Sequence, residues 1–180
     1  MKIGFLSDTI YPYNKGGKET RSYELATQLA KRGHKIHFYT MGFWGKKETR
    51  KLGSITFHRI CKNYPLYKGK SRSIKQAIVF GLASFKLLRS KHDFDVLDAD
   101  HMVYFHLFPA KLASLIKGKP LVITWHEVWG KNYWQQYLGK KGIIGTWLEY
   151  LASKLPDKII SISPLTTKRL IKNLKVKKEK

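Results

Sequence analysis

A succession of short apolar runs, each followed by a stretch of three-to-four periodicity, limits this chain to very few architectures. Ile3-Gly4-Phe5-Leu6, Lys35 to Thr40, Ser54 to Ile60, Asp95 to Asp98, Leu121 to Trp125 and Lys158 to Ser161 read as strands. Helical patterns run over Gly17 to Arg32 (with Tyr23, Ala26, Leu29 and Ala30 on one side), Ile74 to Leu88, His106 to Lys117, Thr146 to Lys154, and Pro164 to about Asn173. Their ends are marked: Gly33 follows the first, Gly118 and Pro120 follow the third, and Ser163-Pro164 opens the last. Strands alternating with helices predict an α/β fold, a doubly wound, mostly parallel sheet with helices on both faces. The 180 residues make one such domain over 1–173 and leave 174–180 as a lysine-rich tail expected to be disordered. Gly42 to Lys51 reads as a basic loop, and the aromatic segment after His126 as another.

In open parallel sheets, ligands bind beyond the carboxyl ends of the strands. The first such segment is Ser7 to Gly17, whose Gly16-Gly17 pair opens a helix. Glycines let a ligand approach the backbone, and a helix N-terminus offers free N–H groups to a phosphate; a tight turn with no ligand explains two glycines equally well. The other glycines of the dinucleotide pattern are missing, and the second strand ends in Tyr39-Thr40-Met41 with no acidic residue for a ribose. No cofactor is therefore expected. The later strand ends supply Asp100 and His101, then His126, Glu127 and Trp129, then Ser163. His126, one step past a buried strand, is the first candidate for bonding a ligand. Trp129, Tyr133, Trp134 and Tyr137 crowd the next loop as the lining of a sugar site or a hydrophobic lid, with Trp134 and Tyr137 equally placed to pack inward at helical spacing. Two Asp-x-Asp triplets, Asp93 with Asp95 and Asp98 with Asp100, bracket one strand, and at least three of the four read as strand ends. With no H-E-x-x-H, C-x-x-C or P-loop pattern, no metal site is expected.

A balance of 35 basic against 12 acidic side chains gives a net charge of +23, which speaks to partners rather than to fold. Lys62, Tyr64, Tyr67, Lys68, Lys70, Arg72 and Lys75 interleave charge with tyrosine just ahead of a strongly apolar helix. Such a surface suits anionic lipid or a phosphorylated acceptor. A heat-adapted, merely solvated face would carry a matching excess of glutamate, which is absent. A nucleic-acid binder is the rival class, but the basic residues are spread out and no helix-turn-helix, RRM or zinc pattern occurs. The single cysteine, Cys61, permits no internal disulfide, and no apolar run approaches the roughly 20 residues that span a bilayer. A cytoplasmic chain follows, soluble or peripheral on the inner membrane face.

Several of these pieces together resemble a known family. Met1-Lys-Ile-Gly-Phe-Leu-Ser7, Pro12 through Gly16-Gly17-Lys18-Glu19, Glu24-Leu25-Ala26, Leu29 to His34, Phe94-Asp95-Val96 to His101, Thr124-Trp125-His126-Glu127 and Ile159 to Ser163 follow one another as in the N-terminal, Rossmann-like domain of GT-B-fold retaining glycosyltransferases of family 4. Asp is more usual in the family where Glu127 stands. The resemblance implies transfer of a sugar from a nucleotide-sugar to a saccharide, lipid-linked or phosphorylated acceptor, without an essential metal. It places Gly16 and Gly17 near the donor phosphates and acceptor, and His126 at the donor sugar or forming bond. Asp100, His101 and Glu127 come out as weaker candidates for acceptor hydroxyls. The family's donor-binding second domain carries a pair of glutamates at a fixed spacing, and no pair in this chain has it. The expectation is an acceptor-side half, inactive alone: a truncated piece or a split subunit needing a donor-binding partner.

Overall fold

A computed structural model describes residues 1–69, 71–89 and 91–180. The strands are β1 (Lys2–Leu6), β2 (Lys35–Gly42), β3 (Thr49–Leu52), β4 (Ile55–Lys62), β5 (Tyr67–Lys68), β6 (Ser71–Arg72), β7 (Val96–Asp100), β8 (Leu121–Trp125) and β9 (Lys158–Ser161). The helices are α1 (Gly17–Lys31), α2 (Ile74–Ala83, tightening to a 3-10 turn over Ser84–Leu88), α3 (Leu107–Lys117), α4 (Gly130–Leu138), α5 (Gly142–Ala152) and α6 (Pro164–Leu174). Seven strands form one sheet in the order β3-β4-β2-β1-β7-β8-β9. All its pairings are parallel except β3 with β4. The winding proceeds outward from β1 to one side, then restarts at β7 on the other. That reversal between β1 and β7 is where a doubly wound sheet opens its ligand crevice.

Alternation along the strands builds a core on each face. Ile3, Phe5, Ile36, Phe38, Ile55 and Phe57 face α1 and bury Ala26 of that helix. Phe5, Phe38 and Phe57 lie in register across β1, β2 and β4, with ring centroids 4.8 and 5.3 Å apart. Leu6, Tyr39, Leu97, Ala99, Leu121, Ile123 and Trp125 belong to the other core, with Phe80, Leu107, Ala110 and Leu170 from the helices above. Gly4 is required there by close approach: a Cβ would meet Leu97 and Tyr39 at 3.1 Å. Gly118 closes α3 with a positive φ of 61°, the left-handed cap that glycine takes without strain.

Three local readings are corrected. The basic loop contains β3, whose Thr49, Arg50 and Lys51 are exposed. It pairs as a hairpin with β4, so burial left no apolar alternation to read. The aromatic segment after His126 is the helix α4, with Trp134 buried on its inner side. The basic tail is docked rather than disordered: Val176 is buried, and the Lys180 carbonyl accepts from Ile159 N–H at 2.9 Å. Among the described residues, no helix is long and apolar enough to cross a membrane.

Candidate active site

The ends of β1, β7 and β8 bring a connected set of charged side chains to the switch point. Lys18, in the first turn of α1, extends its Nζ to Asp8 Oδ1 at 3.0 Å, Ser7 Oγ at 3.3 Å and Asp100 Oδ2 at 3.4 Å. The other Asp100 oxygen lies 3.0 Å from His126 Nε2. The second Asp8 oxygen accepts from Arg72 Nη2 at 2.5 Å and Gln76 Nε2 at 3.2 Å, which ties the β5–β6 hairpin and α2 to the rim. Arg72 N–H also donates to Tyr137 Oη at 2.8 Å, so α4 closes the same side. Gly16 is the N-cap of α1 with no side-chain cap, and a Cβ on Gly17 would meet nothing within 4 Å. The chain's own packing does not demand Gly17, whereas the Glu19 carboxylate, which accepts from Thr9 Oγ1, folds back against Gly16 at the helix N-terminus.

Electrostatics sharpen this picture. Burial alone would raise the Asp100 carboxyl, but Lys18 and His126 outweigh it and hold it well below the carboxylate range. Asp8 behaves alike: burial is overcome by Lys18 and Arg72. Lys18 is partly buried, yet Asp8 and Asp100 hold its pKa above the ordinary lysine value. Asp100 is therefore an anion that accepts from Nε2–H of His126 and fixes the plane of its ring. Asp98, one side-chain repeat back along β7, is pushed up to about 7 by burial and by the Asp100 charge.

The predicted residues divide clearly. His126 and Asp100 meet, with Gly16 and Gly17 across the crevice from them at the start of α1. Ser163 caps α6 by accepting from Thr166 N–H at 3.1 Å, and Thr166 Oγ1 in turn donates to the His126 carbonyl at 3.3 Å. Glu127 is exposed beside them. His101 does not line the crevice: it is buried, stacked on Trp125 at 4.9 Å, and burial lowers its pKa to about 3. Its Nδ1 accepts from the His126 backbone N–H at 3.4 Å, so it holds the catalytic candidate from beneath. Trp129 is half-buried and donates its backbone N–H to Glu149. Of the basic surface, Lys62, Tyr67, Lys68 and Lys75 are exposed and Tyr64 is half-buried. Lys70 lies outside the described residues. Arg72 does not belong to that outward surface, because the buried Asp8 carboxylate draws its guanidinium inward. The triplets sort as three ties and one site residue: Asp93 bonds Lys2 Nζ, Asp95 accepts from Lys2 N–H, Asp98 accepts from Thr124 Oγ1, and Asp100 sits in the crevice.

Sequence reasoning missed Asp8, Lys18, Gln76 and Glu149. Asp8 was within reach, as the first carboxylate past β1. Glu149 carried no signal: it stands in the middle of an apolar helical pattern and is explained only by the turn it bonds. Among the described residues, no group of three or more His, Cys, Asp or Glu side chains could hold a metal ion.

A mostly parallel, doubly wound sheet with its charged crevice at the β1/β7 reversal and a glycine-opened helix beside it is a Rossmann-like α/β domain. The profile of Glycosyltransferase Family 4 matches residues 15–180, and the chain belongs to that family. Among solved structures it is similar to MurG of Acinetobacter baumannii, with a TM-score of 0.52 and 13% identity over 92% of this chain. It spans only 42% of that structure, and at this identity the likeness speaks to the fold alone. No curated protein sequence matches the chain.

Proposed function

We propose that this chain is the acceptor-side half of a retaining glycosyltransferase that moves a sugar from a nucleotide-sugar to a lipid-linked, saccharide or phosphorylated acceptor. The observation that carries the reading is the linked set Lys18–Asp100–His126 at the switch point, beside the glycine-opened N-terminus of α1. The N–H groups of the Gly17 turn bind phosphate oxygens of the donor. Asp100 fixes the ring of His126, which hydrogen-bonds a sugar hydroxyl and orients it rather than acting as a strong base. Lys18 keeps Asp100 ionised, so the ring's orientation survives small pH changes around neutrality.

Groups that grip the nucleotide base and ribose belong to a second domain, and the chain alone has one wall of a cleft. The isolated chain is inactive on this reading. The test is transfer of labelled sugar from UDP-, GDP- and ADP-sugars by the chain alone and by the chain joined to the donor-binding half of its family. Turnover is expected only in the joined form, and His126→Ala there should lower kcat by 10²-fold or more. Turnover by the chain alone, or an unchanged rate in the variant, overturns the reading.

The second element of the proposal is docking on an anionic membrane. Ile74, Ile78 and Leu82 form an exposed apolar stripe along α2, and Phe105, Phe108 and Leu112 continue it onto α3. Lys75, exposed, stands in the first turn of α2 beside Ile74, and Lys68 is exposed in the hairpin that precedes it. An apolar stripe edged by cations is the composition of an interfacial surface.

A further inference from the structure

A second concavity lies between the first turn of α4, one side of α5 and the end of α6. Its volume is about 750 Å³, within the usual range for small-molecule sites. Ile143, Thr146, Trp147 and Tyr150 of α5 form one wall at three-to-four spacing; Trp129, Lys131 and Asn132 form the opposite wall, and Asn173 closes one end. Trp147 leaves 60% of its surface exposed, an unusual fate for an indole in a chain whose other tryptophans are buried or half-buried, Trp44 included. Its ring meets Tyr150 edge-on at 6.2 Å, and Lys154 Nζ sits 4.6 Å from the Tyr150 ring centroid.

The walls are held rigidly. Glu149, fully buried, accepts from Trp129 N–H and Gly130 N–H at 2.8 Å each, from Trp134 Nε1 at 3.0 Å and from Tyr104 Oη at 3.2 Å. Gly142 and Gly145 let α5 touch the backbone and ring of Trp134 with no room for a Cβ. Lys154 Nζ donates to the Leu174 and Lys175 carbonyls at 2.7 and 2.8 Å, which pins the end of α6 to α5. A groove braced by a buried carboxylate is pre-organised, so a ligand would lose little by ordering it. The indole N–H of Trp129, in the wall, is buried without an acceptor among the described residues.

We infer that this groove is a saccharide subsite, taking neutral sugar rings of an acceptor glycan away from its reacting end. Flat aromatic faces suit the C–H faces of a sugar ring, and carboxamides such as Asn132 and Asn173 suit its adjacent hydroxyls. Lys131 is exposed to solvent and Lys154 is committed to the Leu174 and Lys175 carbonyls, so neither cation is poised to fix an anion. No carboxylate lines the groove to draw a cation either, and an uncharged ligand is favoured. A purely apolar occupant would leave Asn132, Asn173 and Thr146 facing it unmatched. The link to an acceptor rests on the transferase reading, whereas saccharide binding does not.

The chain is titrated with neutral oligosaccharides, β-1,4- and α-1,4-linked glucose and α-linked mannose tetramers, followed by tryptophan fluorescence and by amide shifts. Millimolar or tighter binding is expected, with shifts at residues 129–132, 143–150 and 173. Trp147→Ala should weaken it about tenfold, the loss of one stacked ring, and Asn132→Ala several-fold. No binding to any tetramer overturns the subsite. Binding lost in His126→Ala but kept in Trp147→Ala also overturns it, while supporting the crevice. If Trp147 fluorescence instead answers only to neutral phosphatidylcholine vesicles, the groove is an apolar docking face and the proposal fails. Saccharide binding here together with no transfer by the joined enzyme would sink the transferase reading alone.

Discussion

Lys18 is the residue on which the crevice depends. It neutralises two carboxylates that are almost wholly buried, Asp8 and Asp100, which would otherwise confront each other across the mouth of β1 and β7. Removing one partner of a buried ion pair leaves an uncompensated charge and typically costs about 3–5 kcal/mol. Lys18→Met should therefore lower unfolding stability by roughly that amount, read by urea denaturation. Adding Asp100→Asn to it should recover part of the loss, because the second substitution removes the stranded charge. Additive losses in the double variant would show that the two groups do not interact. Arg72 still neutralises Asp8 in these variants, so the recovery belongs to Asp100 specifically. This pairing explains why the sequence showed His126 but hid its support. A strand-end histidine announces itself by position, whereas Lys18 looks like any other of 35 basic side chains until the fold brings it beneath two aspartates.

At the level of elements, the strands and most helices were legible because both faces of a parallel sheet are buried, so each strand is an apolar run with helices between. What escaped was the structure set by neighbours rather than by periodicity. β3 is an exposed edge strand of charged residues, recognisable only through β4. α4 begins at Gly130, whose φ is +69°, and is started by Glu149 of the next helix, not by a cap of its own. Gly145→Ala tests that dependence: the added methyl would strike the Trp134 ring, and overpacking of this kind costs about 1–3 kcal/mol. A thermal midpoint lowered by several degrees is expected; an unchanged midpoint would show that α4 does not lean on α5.

The far end of the sheet carries a different sensitivity. His37 Nδ1 and His58 Nε2 lie 2.8 Å apart between β2 and β4, and the ring of buried His92 stands edge-on to His58 at 5.5 Å. Burial, with the neighbouring rings and Lys91, lowers His58 to about 4; burial, with Lys91 and Arg89, does the same to His92. Facing groups from the other elements are Tyr39, Lys2 and Asp93. Below the unfolded histidine value near 6.5 the unfolded chain binds protons that the folded chain refuses. Stability should thus be whole above about pH 6.5 and fall as pH drops toward 4. His58→Phe, which removes the titrating group, should flatten that slope in denaturation measured across this range; an equal slope would locate the acid sensitivity elsewhere.

For the molecule as a whole, the proposed membrane docking would draw separately on the charge of +23 and on the exposed apolar residues of α2 and α3. Each lysine near an anionic surface contributes about 1 kcal/mol, an attraction that falls off within a Debye length of about 8 Å at physiological salt. Insertion of Leu82, which is 64% exposed, would be apolar and insensitive to salt. Co-sedimentation should therefore be strong with phosphatidylglycerol-rich vesicles, weak with neutral phosphatidylcholine, and reduced but not abolished at about 0.5 M salt, where screening shortens the electrostatic reach. Leu82→Glu should remove the salt-resistant remainder, and Lys68→Glu with Lys75→Glu the salt-sensitive part. Equal sedimentation with neutral and anionic vesicles would eliminate the electrostatic contribution. Sedimentation indifferent to Leu82→Glu at high salt would eliminate the apolar one, leaving the stripe as a surface for some other partner.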